Sequence, residues 1–179
     1  MNRNTKAIIK GLFEEDQADR RSATLRKLSD KKRWAYIQPR DKKRIEEVKR
    51  IIEKNSNLKG LDYFRAGIIF QHGTRLENIK TAQELAHKGH KLGHKKSKWL
   101  YAAATDRILT RQGKKQRFGT QYQKNDQGKW GLYPVQKSTT DKERRKYNVK
   151  SLQEAKEMVS YLNRRDARLW KKIGLTRRK

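Results

Sequence analysis

An excess of 48 lysines and arginines over 19 aspartates and glutamates, a formal net charge of +29, limits what this chain can fold into. Only 33% of its 179 residues are hydrophobic, while 37% are charged. That balance tolerates one modest core and long solvated helix faces. Disorder of the whole chain is the alternative, because high net charge with low hydrophobicity favours it. The middle of the chain argues against disorder, since apolar residues recur there at helical spacing. The expectation is a mainly α fold: one helical domain over residues 6–173 built of helical hairpins, with one small β-hairpin near residues 116–135. The ends, residues 1–5 and the basic tail 174–179, are expected to be loose.

The first helix is expected over about residues 6–28, marked by Ile8, Leu12 and Phe13. Residues 29–40 read as a basic loop with Pro39 as a breaker. Asp41 then caps a second helix to about residue 54, with Ile45, Val48, Ile51 and Ile52 on its core side. A third runs over about 61–72 through Phe64, Ile68 and Ile69, and Gly73-Thr74 breaks it. A fourth spans about 76–92 and a fifth about 97–112; together they read as one antiparallel hairpin. Ala82, Ala86 and Gly89 form a small-residue stripe that lets another helix approach closely. Residues 116–135 change character, with Phe118, Tyr122, Trp130, Leu132 and Tyr133 around Asn125-Asp126-Gln127-Gly128. That pattern predicts two strands joined by a short loop. A last helix over about 151–172 carries Leu152, Ala155, Val159 and Leu162.

The charge is uneven. Between Leu85 and Lys124 there are 11 basic residues and one acid, Asp106. A field of that sign gathers phosphate polymers and releases their counterions. Three clusters are placed to contact phosphate: Lys88, Lys91, Lys95, Lys96 and Lys98; Arg111, Lys114, Lys115 and Arg117; and Arg164, Arg165 and Arg168. The plainer reading of the charge is solubility. The absence of cysteine excludes disulfides, thiolate chemistry and Cys-based zinc sites. No stretch approaches the roughly 20 apolar residues of a spanning helix, and no signal peptide is visible, so no membrane partner is expected and the cytoplasm is the expected location. Nothing in the pattern sets an oligomeric state.

Polar residues on apolar helix faces are the second signal. His72 lies four residues after Ile68, Asp106 seven after Trp99, and Asp16 and Gln17 four after Leu12 and Phe13. Inward polar groups need partners or they cost several kcal/mol. Either His72, Asp106, Asp16 and nearby Arg20 or Arg107 form a buried network that fixes helix register, or they line a pocket. In a pocket, His72 and Asp106 are a possible acid–base couple and Arg107 an anion binder. Gln71, Gln116, Thr120 and Gln121 are then orienting groups, with Gln116 and Thr120 on one strand face and Gly119 allowing close backbone approach.

His90 and His94 have the spacing of a helical metal pair, with His87 on the same face. No acidic ligand follows in register and four lysines surround them, so no metal or other cofactor is expected. Trp34, Tyr36, Phe118, Tyr122, Trp130 and Tyr133 interleave with the charge. They either stack bases of single strands or complete the core.

Five short motifs occur in order: Glu15-Asp16-Gln17-x-x-Arg20, Gln71-His72-Gly73, Trp99-Leu100 followed by Asp106-Arg107, Gln116-x-x-Gly119-Thr120-Gln121, and Thr140-Asp141-x-x-Arg144. Together they resemble an uncharacterised bacterial family, a domain of unknown function with a QHG…DR…Q-x-x-GTQ signature. The resemblance spans about residues 12–162. It implies one mostly helical domain with a small hairpin, and no established reaction. It brings the pocket reading level with the network reading, because the shared polar set coincides with the inward residues. The chain departs from the family in its charge, and in Tyr147-Asn148 where a glycine-containing turn is expected.

The leading expectation is a module that associates with nucleic acid or another polyanion through phosphates. The alternative is an enzyme of unnamed reaction around His72 and Asp106. A third is a structural partner of an acidic protein or of the ribosome.

Overall fold

The computed structural model describes residues 3–54 and 57–172. Its helices are α1 (Arg3–Arg21), α2 (Ala23–Lys27), α3 (Asp30–Lys54), α4 (Gly60–Gln71), α5 (Leu76–Lys91), α6 (Ser97–Arg111), α7 (Asp141–Lys146) and α8 (Leu152–Lys172). Two short strands, β1 (Tyr122–Lys124) and β2 (Trp130–Leu132), lie between α6 and α7. The fold is mainly α with one small antiparallel hairpin, as the periodicity predicts. Contacts divide it into two compact units, Met1–Ala104 and Thr105–Lys179, and the division falls inside α6. Of the ends read from sequence as loose, residues 1, 2 and the tail 174–179 lie outside the described residues, while residues 3–5 of the expected loose N-terminus belong to α1.

In the first unit, α1 buries Ile9, Asp16 and Asp19 at helical spacing. The expected helix over 6–28 is cut at Ser22, which leaves the helical region (ψ 119°) and accepts the Leu25 N–H with its hydroxyl at 3.2 Å. An N-cap serine does this at low cost, because it satisfies a donor that a new helix end would leave bare.

The expected loop over 29–40 is overturned: α3 runs straight through Pro39. An internal proline forfeits the bond to the carbonyl four residues back and costs about 3 kcal/mol. Contacts on either side offset that loss. Ile37 is buried before it, and Arg40, Asp41 and Arg44 after it make ion pairs with α1. Asp41 is therefore a buried mid-helix anchor and not a cap.

Helix α4 starts where Asp62 folds back to accept the Lys59 N–H at 3.0 Å. It packs antiparallel on α5 through glycines. A Cβ on Gly60 would meet the Gly89 and Leu92 carbonyl oxygens at 2.8 and 2.9 Å. On Gly89 it would meet the Ser97 hydroxyl at 2.6 Å. The buried stripe Ala82, Ala86 and Gly89 thus takes a neighbouring helix at close range, as its residue sizes predict. Helices α5 and α6 form the expected hairpin, with the His87 and Tyr101 rings 6.1 Å apart across it. Leu100, on α6, lies 2.8 Å from where a Cβ on Gly67 of α4 would stand. Backbone oxygens cannot rotate away, so Gly60→Ala should cost about 2 kcal/mol, within the usual overpacking range. Chemical unfolding checks this; an unchanged midpoint would mean α4 can slide on α5.

In the second unit, β1 and β2 pair from Tyr122↔Leu132 to Lys124↔Trp130. Asn125 closes the loop by accepting the Lys129 N–H at 2.9 Å, and Gly128 supplies the left-handed φ of 70°. Helix α8 packs on β2. Its Asn163 brackets the Trp130 backbone, accepting the N–H at 2.9 Å and donating to the carbonyl at 3.0 Å. Helix α7, absent from the sequence expectations, is capped by the Thr140 hydroxyl and is followed by Asn148 at φ 56°. Asparagine is the side chain that best tolerates this region. It occupies the turn where the family resemblance leads one to expect glycine.

Candidate nucleic-acid interface

Two buried polar networks use most of the inward groups, one in each unit. In the first, charges alternate in sign along α1 and α3. His72 Nδ1 lies 3.0 Å from Asp16 Oδ1, and Asp16 is fully buried. An ionised carboxylate only accepts, so His72 donates from Nδ1. Asp16 also takes Arg20 at 2.8 Å and the Gln17 amide at 2.8 Å. Arg20 bridges to Asp41 at 2.8 Å. Arg44, itself buried, spans Asp41 and Asp19 at 2.7 Å each, and Arg40 closes the series on Asp19 at 2.8 Å. Burial alone would raise the Asp19 carboxyl. Hydrogen bonds from Arg40 and Arg44 outweigh it and hold the group below its ordinary range.

In the second unit Asp106, fully buried, gathers the loop after α6. Its Oδ1 accepts the N–H groups of Arg117 and Phe118 at 2.7 and 2.8 Å. Its Oδ2 accepts the N–H and hydroxyl of Thr120 at 2.9 and 2.8 Å. The turn this requires passes through Gly119 at φ 88°. Gln116 is equally committed: its amide donates to the Gln121 and Tyr133 carbonyls and accepts the Gln121 N–H, all within 3.0 Å. Arg107 donates to the Gln121 side chain at 3.1 Å, which in turn donates to the Thr120 hydroxyl at 3.0 Å. Buried Arg144 holds the Phe118 and Thr139 carbonyls. The Q-x-x-GTQ run is thus a tied loop whose polar atoms are spent on the chain itself.

The sequence-predicted site residues therefore fall into two sets. Asp16, Gln17, Arg20 and His72 meet in the first unit, with Gln71 buried at the end of α4. Asp106, Arg107, Gln116, Thr120 and Gln121 meet in the second. The carboxylate that His72 meets is Asp16. Sequence reading missed Asp19, Arg40 and Arg44, and met Arg144 only as part of the Thr140-Asp141-x-x-Arg144 motif, without a role. The signal for Arg44 was present: Ile37, Asp41, Arg44, Ile45, Val48 and Ile51 share one buried helix face. Reading Pro39 as a helix breaker hid it.

Burial sharpens the surface charge. Six acidic residues (Asp16, Asp19, Asp41, Asp62, Asp106 and Asp166) are buried against only two basic ones, Arg44 and Arg144, among the described residues. The outward surface is therefore more basic than the composition. On the α5–α6 turn, Lys88, Lys91, Lys95 and Lys96 are exposed and Lys98 is half-buried, beside exposed Leu92 and Trp99. Among the described residues no carboxylate pairs with Lys91, Lys96 or Lys98. In the second unit Arg111, Lys114, Lys115 and Arg117 are exposed, and Arg117 pairs with Glu143. On α8, Arg164, Arg165 and Arg168 are exposed, and Arg165 pairs with Asp166 at 2.9 Å.

The histidines of this region face different ways. His94 stacks on Phe64 with centroids 4.5 Å apart and meets the Ser97 hydroxyl at 3.0 Å. Burial, then the charges of Lys96 and Arg65, push its pKa down. His87 faces Tyr101. Of the interleaved aromatics, Phe118 is buried, Tyr122, Trp130 and Tyr133 are half-buried, and Trp34 and Tyr36 are exposed. Among the described residues no helix is long and apolar enough to cross a membrane.

No family model, curated protein or solved structure matches the chain.

Proposed function

We propose that the protein binds nucleic acid through phosphate contacts, with the α5–α6 turn as its main docking surface. One observation carries the reading: six acids are buried and satisfied by groups of the chain itself, while Lys91 and Lys96 stand outward without carboxylate partners. Cations held that way gain more from a phosphate than lysines already paired. Phosphate contacts fix position and carry little sequence information, so the binding is broad.

The test is affinity for nucleic-acid oligomers across a salt series, with protein freed of bound nucleic acid. Log affinity should fall linearly with log salt, by about 0.9 per phosphate on duplex DNA. Reversing Lys91, Lys95 and Lys96 to glutamate should flatten the slope by roughly 3 and weaken all sequences alike. An unchanged slope would remove the turn from the interface. The alternative, an enzyme with His72 and Asp106 as acid–base groups, draws support only from the His72–Asp16 contact, since four hydrogen bonds already occupy Asp106.

A further inference from the structure

Beside the basic turn, a shallow groove of about 380 Å³ is lined by Gln83, Glu84, His87 and Lys88 of α5 and Tyr101 of α6. We propose that this groove holds one base of a single strand, guanine foremost; the proposal rests on the nucleic-acid reading above.

Three features converge on it. The His87 and Tyr101 rings form a tilted pair, 6.1 Å apart at 49°, that lines the groove with aromatic surface. Every base has a flat face, and aromatic side chains bind single strands through it. Second, Glu84 is an exposed carboxylate in a strongly basic chain, and among the described residues no side chain pairs with it. Lys88 sits four residues on, the favoured spacing for a helical ion pair, yet lies over the Tyr63 ring at 5.9 Å. Glu84 therefore keeps its acceptors open toward the groove. Third, Lys88 lines the groove with charge for the backbone.

The chemistry of a carboxylate sets the preference. It accepts and cannot donate, and it repels phosphate, so its fitting partner is a base edge rich in N–H. Guanine presents two adjacent N–H donors on its Watson–Crick edge. Uracil presents one between two carbonyls, which repel the carboxylate. A duplex hides both that edge and the base face, so the groove reads single strands.

The test uses the full chain and three labelled probes: a short oligouridylate with one central guanosine, the same with inosine, and a duplex of matching length. The parent should bind the guanosine strand more tightly than the inosine strand. Tyr101→Leu should weaken the guanosine strand by about fivefold or more and leave the duplex unchanged. Glu84→Gln, at an exposed position that does not threaten folding, should erase the guanosine preference. If the parent binds strands and duplex with equal salt dependence and both variants change nothing, the groove proposal is overturned and the phosphate reading stands. If the parent binds none of the probes at low salt, the phosphate reading itself fails.

Discussion

Asp106→Ala is expected to remove most of the stability of the second unit. The carboxylate is fully buried and accepts four hydrogen bonds, three of them from backbone N–H groups. Alanine leaves those donors buried without an acceptor from the side chain. Each unsatisfied buried donor costs about 1–3 kcal/mol, and the groups relax together, so a loss of about 3–5 kcal/mol is expected, as for a broken buried charge contact. Asparagine keeps the shape but turns one oxygen into a donor, which faces a donor wherever it sits. It should recover only part of the loss. Urea unfolding reads the total, and amide exchange at Arg117, Phe118 and Thr120 reads the site. The loop amides should lose protection in Asp106→Ala before the β1–β2 ladder does. Protection at wild-type level with a loss below about 1 kcal/mol would refute the role, since that is the scale of an ordinary single hydrogen bond.

The helices that were legible share one property: their apolar residues alternate with charge at a clean helical period. Helices α4, α5, α6 and α8 start and stop within a residue or two of expectation, because glycine, serine or a polar turn marks their ends. The errors lie where a local rule lost to a distant partner. Pro39 argues for a break over its nearest neighbours, but just beyond it Arg40, Asp41 and Arg44 hold the helix through residues 21–25 positions away. Ser22 is the reverse case. A hydroxyl three residues before a backbone N–H cut a helix whose apolar marks run on.

The inward polar residues were legible as a set but not as pairs. Helical phase places Asp16, His72 and Asp106 on buried faces. It cannot say which acid meets which base, because that depends on how helices cross. His72 meets Asp16, and Asp106 meets backbone N–H groups, which have no side-chain signature at all. The Q-x-x-GTQ run was the trace of that loop, and Gly119 at φ 88° stands between the Phe118 and Thr120 donors that converge on the carboxylate. The unpaired state of Glu84 was hidden for a similar reason: spacing predicts a bond to Lys88 that the Tyr63 ring draws away.

The buried charges of the first unit carry the second large prediction. Arg44 is 3% exposed and is shared by Asp19 and Asp41. Arg44→Met keeps the apolar stem and removes the charge, so both carboxylates lose a buried partner, at a cost of about 3–5 kcal/mol near neutrality. The pH dependence identifies the cause. In the parent, Asp19 is held below its ordinary value of 3.8. Its contribution is therefore full above that value and is lost as pH falls through the folded value. In the variant, Asp19 keeps only the more exposed Arg40 as its partner, so protonating it costs less than in the parent. The gap between the two proteins should be widest near neutrality and close as pH falls below 3.8. Thermal unfolding of both proteins over that range checks it. A gap that stays constant would mean that Arg44 acts by filling space, and that the alternating series from His72 to Arg40 adds nothing through its charge.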